Sequence, residues 1–267
     1  MFKTTLIGIT SLFLCSATCF ALSEGSPIPP DKGKWALGVE YNRIFEKDLK
    51  PKEFGAYRSM RVDGSDQVYV VPSYGVYENE RFKVGVLGKA GMADLKIKSE
   101  DTGSNIEKID YDMGFLWGLG GKMSYNFENS LSLSLGVQYS EWFSDFNQVN
   151  YHDQNATHIT KRASASVSEF QMAILLSSIF KLSGREDLTF TPYIGPSFSK
   201  MTVGTGIVSY ETPNFARSNI QTGGLEDQHV GIIVGVDVLT VSETLRLNAE
   251  LRFLTETALS LSLHYKF

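Results

Sequence analysis

The sequence contains few cysteines, few histidines and no strongly basic run. Its two cysteines, Cys15 and Cys19, both lie within the first 21 of 267 residues, so the rest of the chain has neither a disulfide nor a cysteine metal site. Its 25 lysines and arginines are outnumbered by 30 acidic residues, which excludes the basic surface of a nucleic-acid-binding protein. The four histidines match no standard metal-site spacing. We therefore expect no metal and no cofactor.

The first 21 residues have the organisation of a signal peptide for export. Lys3 supplies the positive start, Leu6 to Leu14 form an apolar stretch, and a small-residue cleavage site follows at Ala21, with Ala17 as the alternative. This apolar stretch is shorter than the ~20 residues that a membrane-spanning helix needs. Residues 22–33, rich in proline, glycine and serine, are predicted to be a periplasmic linker, and residues 34–267 to be one domain.

The rest of the chain is dominated by a two-residue period. Trp35, Leu37, Val39 and Tyr41 share one face of a strand, and nine further candidate strands repeat this alternation. Short turns between the strands alternate with long polar segments, which are residues 46–66, 96–109, 145–163 and 204–226. Long loops at one end and short turns at the other predict an all-β fold, a transmembrane antiparallel up-and-down β-barrel of about ten strands, with eight as the alternative count.

The two faces of the strands distinguish a membrane barrel from a soluble sandwich. In a soluble sandwich the charged face would be outside, whereas in a small membrane barrel the leucines face lipid and the charges fill the lumen. Two observations favour the membrane barrel. The apolar faces end in aromatic residues, and the opposite faces are rich in glycine and serine. The predicted lumen charge network, an ion-paired plug, comprises Glu40, Lys122, Asp237, Arg246, Glu250 and Arg252, with Lys266 near its edge.

The last strand carries a resemblance to a known group. The chain ends Leu263-His264-Tyr265-Lys266-Phe267, and with the signal peptide and the alternating loop lengths this ending resembles small bacterial outer-membrane β-barrels of the opacity and porin-like type. The resemblance implies that Leu263, Tyr265 and Phe267 form the signal read by the barrel-assembly machinery. It also implies outer-membrane lipid as a partner. Ser262 stands where that group usually has glycine.

Two pairs of titratable residues suggest one enzymatic alternative. Asp110 and Asp112 are two residues apart, as are Asp227 and His229, and each pair lies where a long loop enters a descending strand. This set is similar to that of the omptin proteases, ten-stranded barrels in which two aspartates face an Asp-His pair. The resemblance implies that the imidazole takes a proton from water that attacks the peptide.

The sequence favours a non-enzymatic role over this alternative. Short Asp-x-Asp and Asp-x-His patterns arise by chance, and acidic residues are common at the bases of loops. We expect a protein of the bacterial outer membrane with a plugged lumen, acting structurally or by contacting an extracellular ligand or host surface through its loops. A small gated channel is the other alternative, although barrels of about ten strands are nearly filled by their own side chains.

Overall fold

The computed structural model describes most of the chain after the predicted signal peptide. The described residues are 25–49, 57–101, 106–127, 130–151, 154–155, 158–161, 164–182, 185–205, 207–211, 217–221, 225–240, 244–254 and 256–267. In these ranges, no helix has the length and apolar character to cross a membrane.

The described residues form sixteen β-strands. They are β1 (Trp35–Leu49), β2 (Tyr57–Glu78), β3 (Phe82–Asp101), β4 (Ile106–Asn126), β5 (Leu131–Ser144), β6 (Phe146–Tyr151), β7 (Gln154–Asn155), β8 (His158–Lys161), β9 (Ala165–Ser178), β10 (Phe180–Leu182), β11 (Arg185–Thr205), β12 (Ile207–Glu211), β13 (Arg217–Gln221), β14 (Leu225–Thr240), β15 (Leu245–Phe253) and β16 (Glu256–Lys266).

Ten of these strands close into a barrel. Each pairs antiparallel with its neighbours in the order β3-β2-β1-β16-β15-β14-β11-β9-β5-β4, and β4 pairs back onto β3. The first and last strands meet along β1 and β16, where Leu37 lies opposite Tyr265 and Tyr41 opposite Leu261. The prediction of ten strands rather than eight is confirmed.

The connections between barrel strands alternate between two ends of the barrel. The connections after β2, β4, β9 and β14 lie at one end, which we call the turn end. The connections after β1, β3, β5, β11 and β15 lie at the other, which we call the loop end. Strand β6 continues the barrel wall at the loop end by pairing with β4, and β8, β12 and β13 form a separate three-stranded sheet.

The strands are longer at the loop end than the sequence predicted. Residues 46–66 and 96–109 were expected to be polar loops, but β2 extends from Tyr57, β3 extends to Asp101 and β4 begins at Ile106. The alternation of polar and apolar residues continues through these segments, so the backbone continues in the ladder. The expectation of long loops was therefore wrong for much of these two segments.

Three prolines lie inside barrel strands without disturbing the register. Pro72 lies in β2, and Pro192 and Pro196 lie in β11, although proline in a sheet is usually confined to edge strands, bulges or strand ends. The pairing of β2 with β1 runs without a shift through Pro72, and that of β11 with β14 does so through Pro192 and Pro196. Each proline withholds only its own N–H from a ladder that the surrounding residues maintain.

Candidate functional site: the lumen and its two ends

The outer surface of the turn-end half is a continuous apolar belt. Leu119 on β4 is 63 % exposed and Leu261 on β16 is 47 % exposed, and similar side chains occupy the outward positions of every barrel strand. Aromatic pairs lie at the turn end, with ring centroids 4.8 Å apart for Trp35 and Tyr74. Such a belt with an aromatic rim is matched to lipid and not to water.

The chain is a closed β-barrel of the outer-membrane type. Its ladder leaves no open edge among the ten strands, as a bilayer requires of a spanning sheet. Its polarity also has the inverted sense, since apolar residues face outward around a lumen of buried polar residues. On β15, Leu247 and Leu251 are exposed, whereas Glu250 and Arg252 are buried.

At the loop end this polarity reverses. Along β3 the exposed Met92 is followed on the outer face by Asp94 and Lys96, which form an ion pair with 3.3 Å between Nζ and Oδ2. The inward residues of the same stretch, Leu95 and Ile97, are fully buried and pack with buried apolar side chains of other strands. We call this cluster the upper core; its members include Ile44, Val62, Leu95, Ile97, Ile109, Tyr111, Leu116, Trp142, Val149, Val167, Met201 and Val203.

The predicted lumen charges form two neighbouring groups. In the first, Glu250 Oε1 lies 2.6 Å from Arg252 Nη2, and the Tyr193 hydroxyl donates to Glu250 Oε2 at 3.0 Å. Glu40 lies in the same layer and accepts from the Tyr69 hydroxyl at 2.6 Å. These three charged residues are buried. We call this group the middle layer.

The second group lies at the turn end. Arg246 Nε is 3.2 Å from Asp237 Oδ2, and Lys122 Nζ donates to the Ser26 backbone oxygen at 3.1 Å. Lys266, predicted near the edge of the lumen, pairs with Asp31. The Asn248 amide connects the two groups, because it donates to the Tyr193 hydroxyl at 3.0 Å and is also hydrogen-bonded to Asp237.

Sequence reasoning missed a third buried cluster, which lies toward the loop end from the middle layer. Lys47 is 0 % exposed, and its Nζ lies 2.6 Å from Glu169 Oε1 and 2.5 Å from Glu256 Oε2. A register shift between Ile44 and Glu46 turns Lys47 inward, although strict alternation from Trp35 would place it outside. The alternation in the sequence does not reveal this cluster, because the bulge reverses the inward and outward positions of β1 before Lys47.

The segment predicted to be a linker enters the turn end of the lumen. We call its described part, residues 25–33, the plug segment. The Ser26 hydroxyl donates to Asp237 Oδ2 at 3.0 Å, and Arg246 Nη1 donates to Ser26 Oγ and to the Ile28 backbone oxygen, both at 2.8 Å. Inward-facing cations therefore contact backbone and side-chain oxygens of this segment inside the lumen.

The plug segment is also fixed along β2. The Gly33 N–H donates to the Gly75 backbone oxygen at 2.8 Å, and the Gly75 N–H donates to the Lys34 oxygen at 3.0 Å. Lys83 and Lys266 both pair with Asp31. Burial raises the pKa of Asp31, but hydrogen bonds from Lys266 and Lys83 outweigh it, so this pKa falls from 3.8 to about 2.

The structure places Asp110 and Asp112 on the outer face of the wall. Their neighbours Ile109 and Tyr111 point into the upper core, whereas Gln148 donates to Asp110 and Asn147 donates to Asp112 on the outside.

The second half of the omptin-like set is on β14. Its backbone places His229 opposite Ser199 and Asp227 opposite Met201, but the side chains of Asp227 and His229 lie outside the described residues. The set stays a prediction, and the outward direction of the first two aspartates weighs against it. Among the residues that the structure describes, no group of three His, Cys, Asp or Glu side chains is placed to hold a metal ion.

The predicted assembly-signal residues lie on the outer face of the closing strand. Leu263, Tyr265 and Phe267 are each exposed toward the belt, and the Phe267 N–H donates to the Trp35 oxygen at 2.9 Å. This placement leaves the three side chains accessible on one surface, and their role in assembly stays a prediction.

No protein-family model matches the chain, and no curated protein does. Among solved structures, the transport unit of the autotransporter AIDA-I from Escherichia coli is similar with a TM-score of 0.44 and 12 % identity, over 100 % of this chain and 97 % of that chain. The outer-membrane protease OmpT from Escherichia coli is similar with a TM-score of 0.49 and 10 % identity, over 92 % of this chain and 99 % of that chain. The outer membrane protein OprG from Pseudomonas aeruginosa is similar with a TM-score of 0.36 and 12 % identity, over 90 % of this chain and 98 % of that chain. At these scores, the barrel architecture rests on the strand pairing of this chain itself.

Proposed function

We propose that this protein is an exported barrel of the bacterial outer membrane, closed to ions, whose task is performed by the loop end at the cell surface. In this orientation the turn end and the plug segment face the periplasm. The observation that carries the proposal is the filling of the lumen from the middle layer to the loop end. From the periplasmic side inward, the plug segment is followed by the middle layer and then, toward the loop end, by the Lys47 cluster and the upper core.

The upper core is the strongest argument against a channel. An ion path needs polar groups or water along its whole length, because a bare ion in apolar surroundings pays its full desolvation cost. Leu116, Trp142 and Val167 are 0 % exposed and belong to one packed cluster. The deeper charges are paired at hydrogen-bond distance, so they act as cross-links of the barrel wall and not as a lining for permeant ions.

The outer wall of the loop end supports a role in surface contact. Beyond the apolar belt, the outward residues of β3 and β4 are charged, with Lys96, Lys98 and Asp110 turned to solvent on the outside of the upper core. A rigid, charged wall raised above the membrane can hold loops in a fixed arrangement toward an extracellular ligand or a host surface.

Planar-bilayer recording tests the closed lumen. We expect correctly inserted protein, identified by heat-modifiable migration, to give no discrete conductance at either polarity. Step-like currents from such protein that change on Arg252→Ala would contradict the proposal and favour the gated channel.

Purified folded protein should also leave basic peptides uncleaved; cleavage abolished by His229→Ala would favour the omptin-like alternative.

A further inference from the structure

A cavity of about 280 Å³ lies inside the periplasmic end of the lumen, between the plug segment and the barrel wall. Its volume is close to the lower end of the ~300–1,000 Å³ that small-molecule sites occupy. Ser26 and Ile28 of the plug segment form one side, and residues of several barrel strands form the others. The cavity is therefore a space that the folded plug segment completes.

The lining carries an excess of positive charge. Its carboxylates are Asp31, Glu40 and Asp237, and Glu78 adds a fourth from the rim by contacting Lys83 at 2.8 Å between Nζ and Oε1. Six cations thus face four carboxylates, which leaves an excess of two positive charges. The cations are Lys83, Lys89, Lys122, Lys181, Arg246 and Lys266.

Several of these cations are arranged around the cavity and not at one point. Lys89 lies deep in the lumen, where its Nζ is 4.7 Å from the centroid of the Tyr69 ring. Lys181 is exposed on β10 at the periplasmic rim. Between them, Lys122 and Arg246 reach the plug segment. A positive potential therefore extends from the rim into the cavity, which draws anions inward from the periplasm.

The remaining lining is largely apolar. Ile28 and Pro29 of the plug segment face Val71, Leu87 and other aliphatic side chains of the wall. A site that combines an aliphatic wall with fixed cations fits a ligand that has an apolar body and an anionic head, since each part then meets a matching surface. A cation of the same shape would meet unfavourable charge.

The geometry points to a periplasm-facing binding site for a small organic anion, a carboxylate attached to an apolar body, in the cavity beneath the plug segment. The excess of cations selects the head group, and the aliphatic wall accepts the body. This site is independent of the surface role proposed for the loop end, because the middle layer and the upper core separate the two.

A fluorine NMR titration of the full exported chain in lipid nanodiscs tests the site. The probe is 4-fluorobenzoate, and its matched controls are 4-fluorobenzylammonium and 4-fluorobenzyl alcohol. We expect saturable broadening of the 4-fluorobenzoate signal only. The combined substitutions Lys122→Gln and Lys181→Gln should weaken its binding by about tenfold or more, since each removes a charged partner. Equal binding of the ammonium probe, or no saturable binding of the carboxylate, would overturn the proposal.

Lys34→Gln provides a matched charge control at the same end of the barrel. Lys34 is exposed beside the plug segment and does not line the cavity, so binding should be unchanged. A loss equal to that of the double variant would mean non-specific attraction and overturn the site. If the double variant does not insert, Lys181→Gln alone carries the test, because this side chain is exposed at the rim. Inorganic phosphate should compete poorly; competition as strong as that of unlabelled benzoate would overturn the assigned apolar body.

Discussion

At the scale of single residues, Gly75 is the position that most directly holds the plug segment. A Cβ at Gly75 would lie 2.0 Å from the Asp31 backbone oxygen and 2.5 Å from its carbonyl carbon. Both are main-chain atoms, so no side chain can turn aside to relieve the clash. We expect Gly75→Ala to displace the plug segment and to make residues 25–33 about tenfold more susceptible to added protease, because local opening governs cleavage. Mass spectrometry of the released N-terminal peptides measures this.

Gly121→Ala is the matched control for that substitution. The nearest atom to a Cβ at Gly121 is the Gly85 oxygen at 3.7 Å, an ordinary contact. Its cleavage rate should equal that of the unaltered protein. If Gly75→Ala also left the rate unchanged, the contact between β2 and the plug segment would not be what holds the segment in place.

At the scale of strands, the informative feature is the reversal of polarity along one element. On β4 the outward row is apolar from Met113 to Phe127, whereas Lys108 and Asp110 precede it on the same face. Leu119 lies in the middle of the apolar row. We expect Leu119→Arg to lower the free energy of unfolding by about 2–4 kcal/mol, the cost of a cation at the bilayer midplane. Urea unfolding of protein in vesicles, followed by heat-modifiable migration, measures the change.

The reversal of polarity also predicts that replacing a charged residue by an apolar one on the outer face of the loop end has little effect on the free energy of unfolding. Lys98 lies on the outer face of β3 beyond the apolar belt. Lys98→Leu should therefore change the free energy of unfolding by no more than about 0.5 kcal/mol, as for an ordinary surface substitution. A cost for Lys98→Leu as large as that for Leu119→Arg would mean that the belt does not end between Met92 and Asp94.

The sequence could predict the barrel strands because alternation is a local signal. The lipid-facing leucines of β15 and β16 and the inward Glu250 follow from it directly. It did not predict the loop-end extensions, because there apolar residues such as Leu95 and Ile97 turn inward while the polar residues make the segment look like a loop. Nor could it predict the plug segment, whose position depends on Arg246 and Lys122 more than 90 residues away in the sequence.

At the scale of the whole molecule, the barrel is closed in two directions. Around its circumference it is closed by the pairing of β1 with β16, and along its axis by the layers that fill the lumen. The first closure depends on the last strand of the chain. Tyr265 lies between Leu37 of β1 and Leu245 of β15, so β16 must be in register with both neighbours before the sheet has no edge.

This dependence leads to the last prediction. Phe267 is 61 % exposed on the outer face, packs against Tyr265 with 5.3 Å between ring centroids, and donates its N–H to Trp35. Deletion of Phe267 should remove the final contact across the closing seam and the terminal aromatic of the proposed assembly signal. We expect most of the protein to be absent from outer-membrane fractions and to be degraded or retained in the periplasm. Phe267→Tyr keeps the ring and the N–H and should insert normally. Full, heat-modifiable insertion of the deletion variant would show that β16 closes the barrel without that signal.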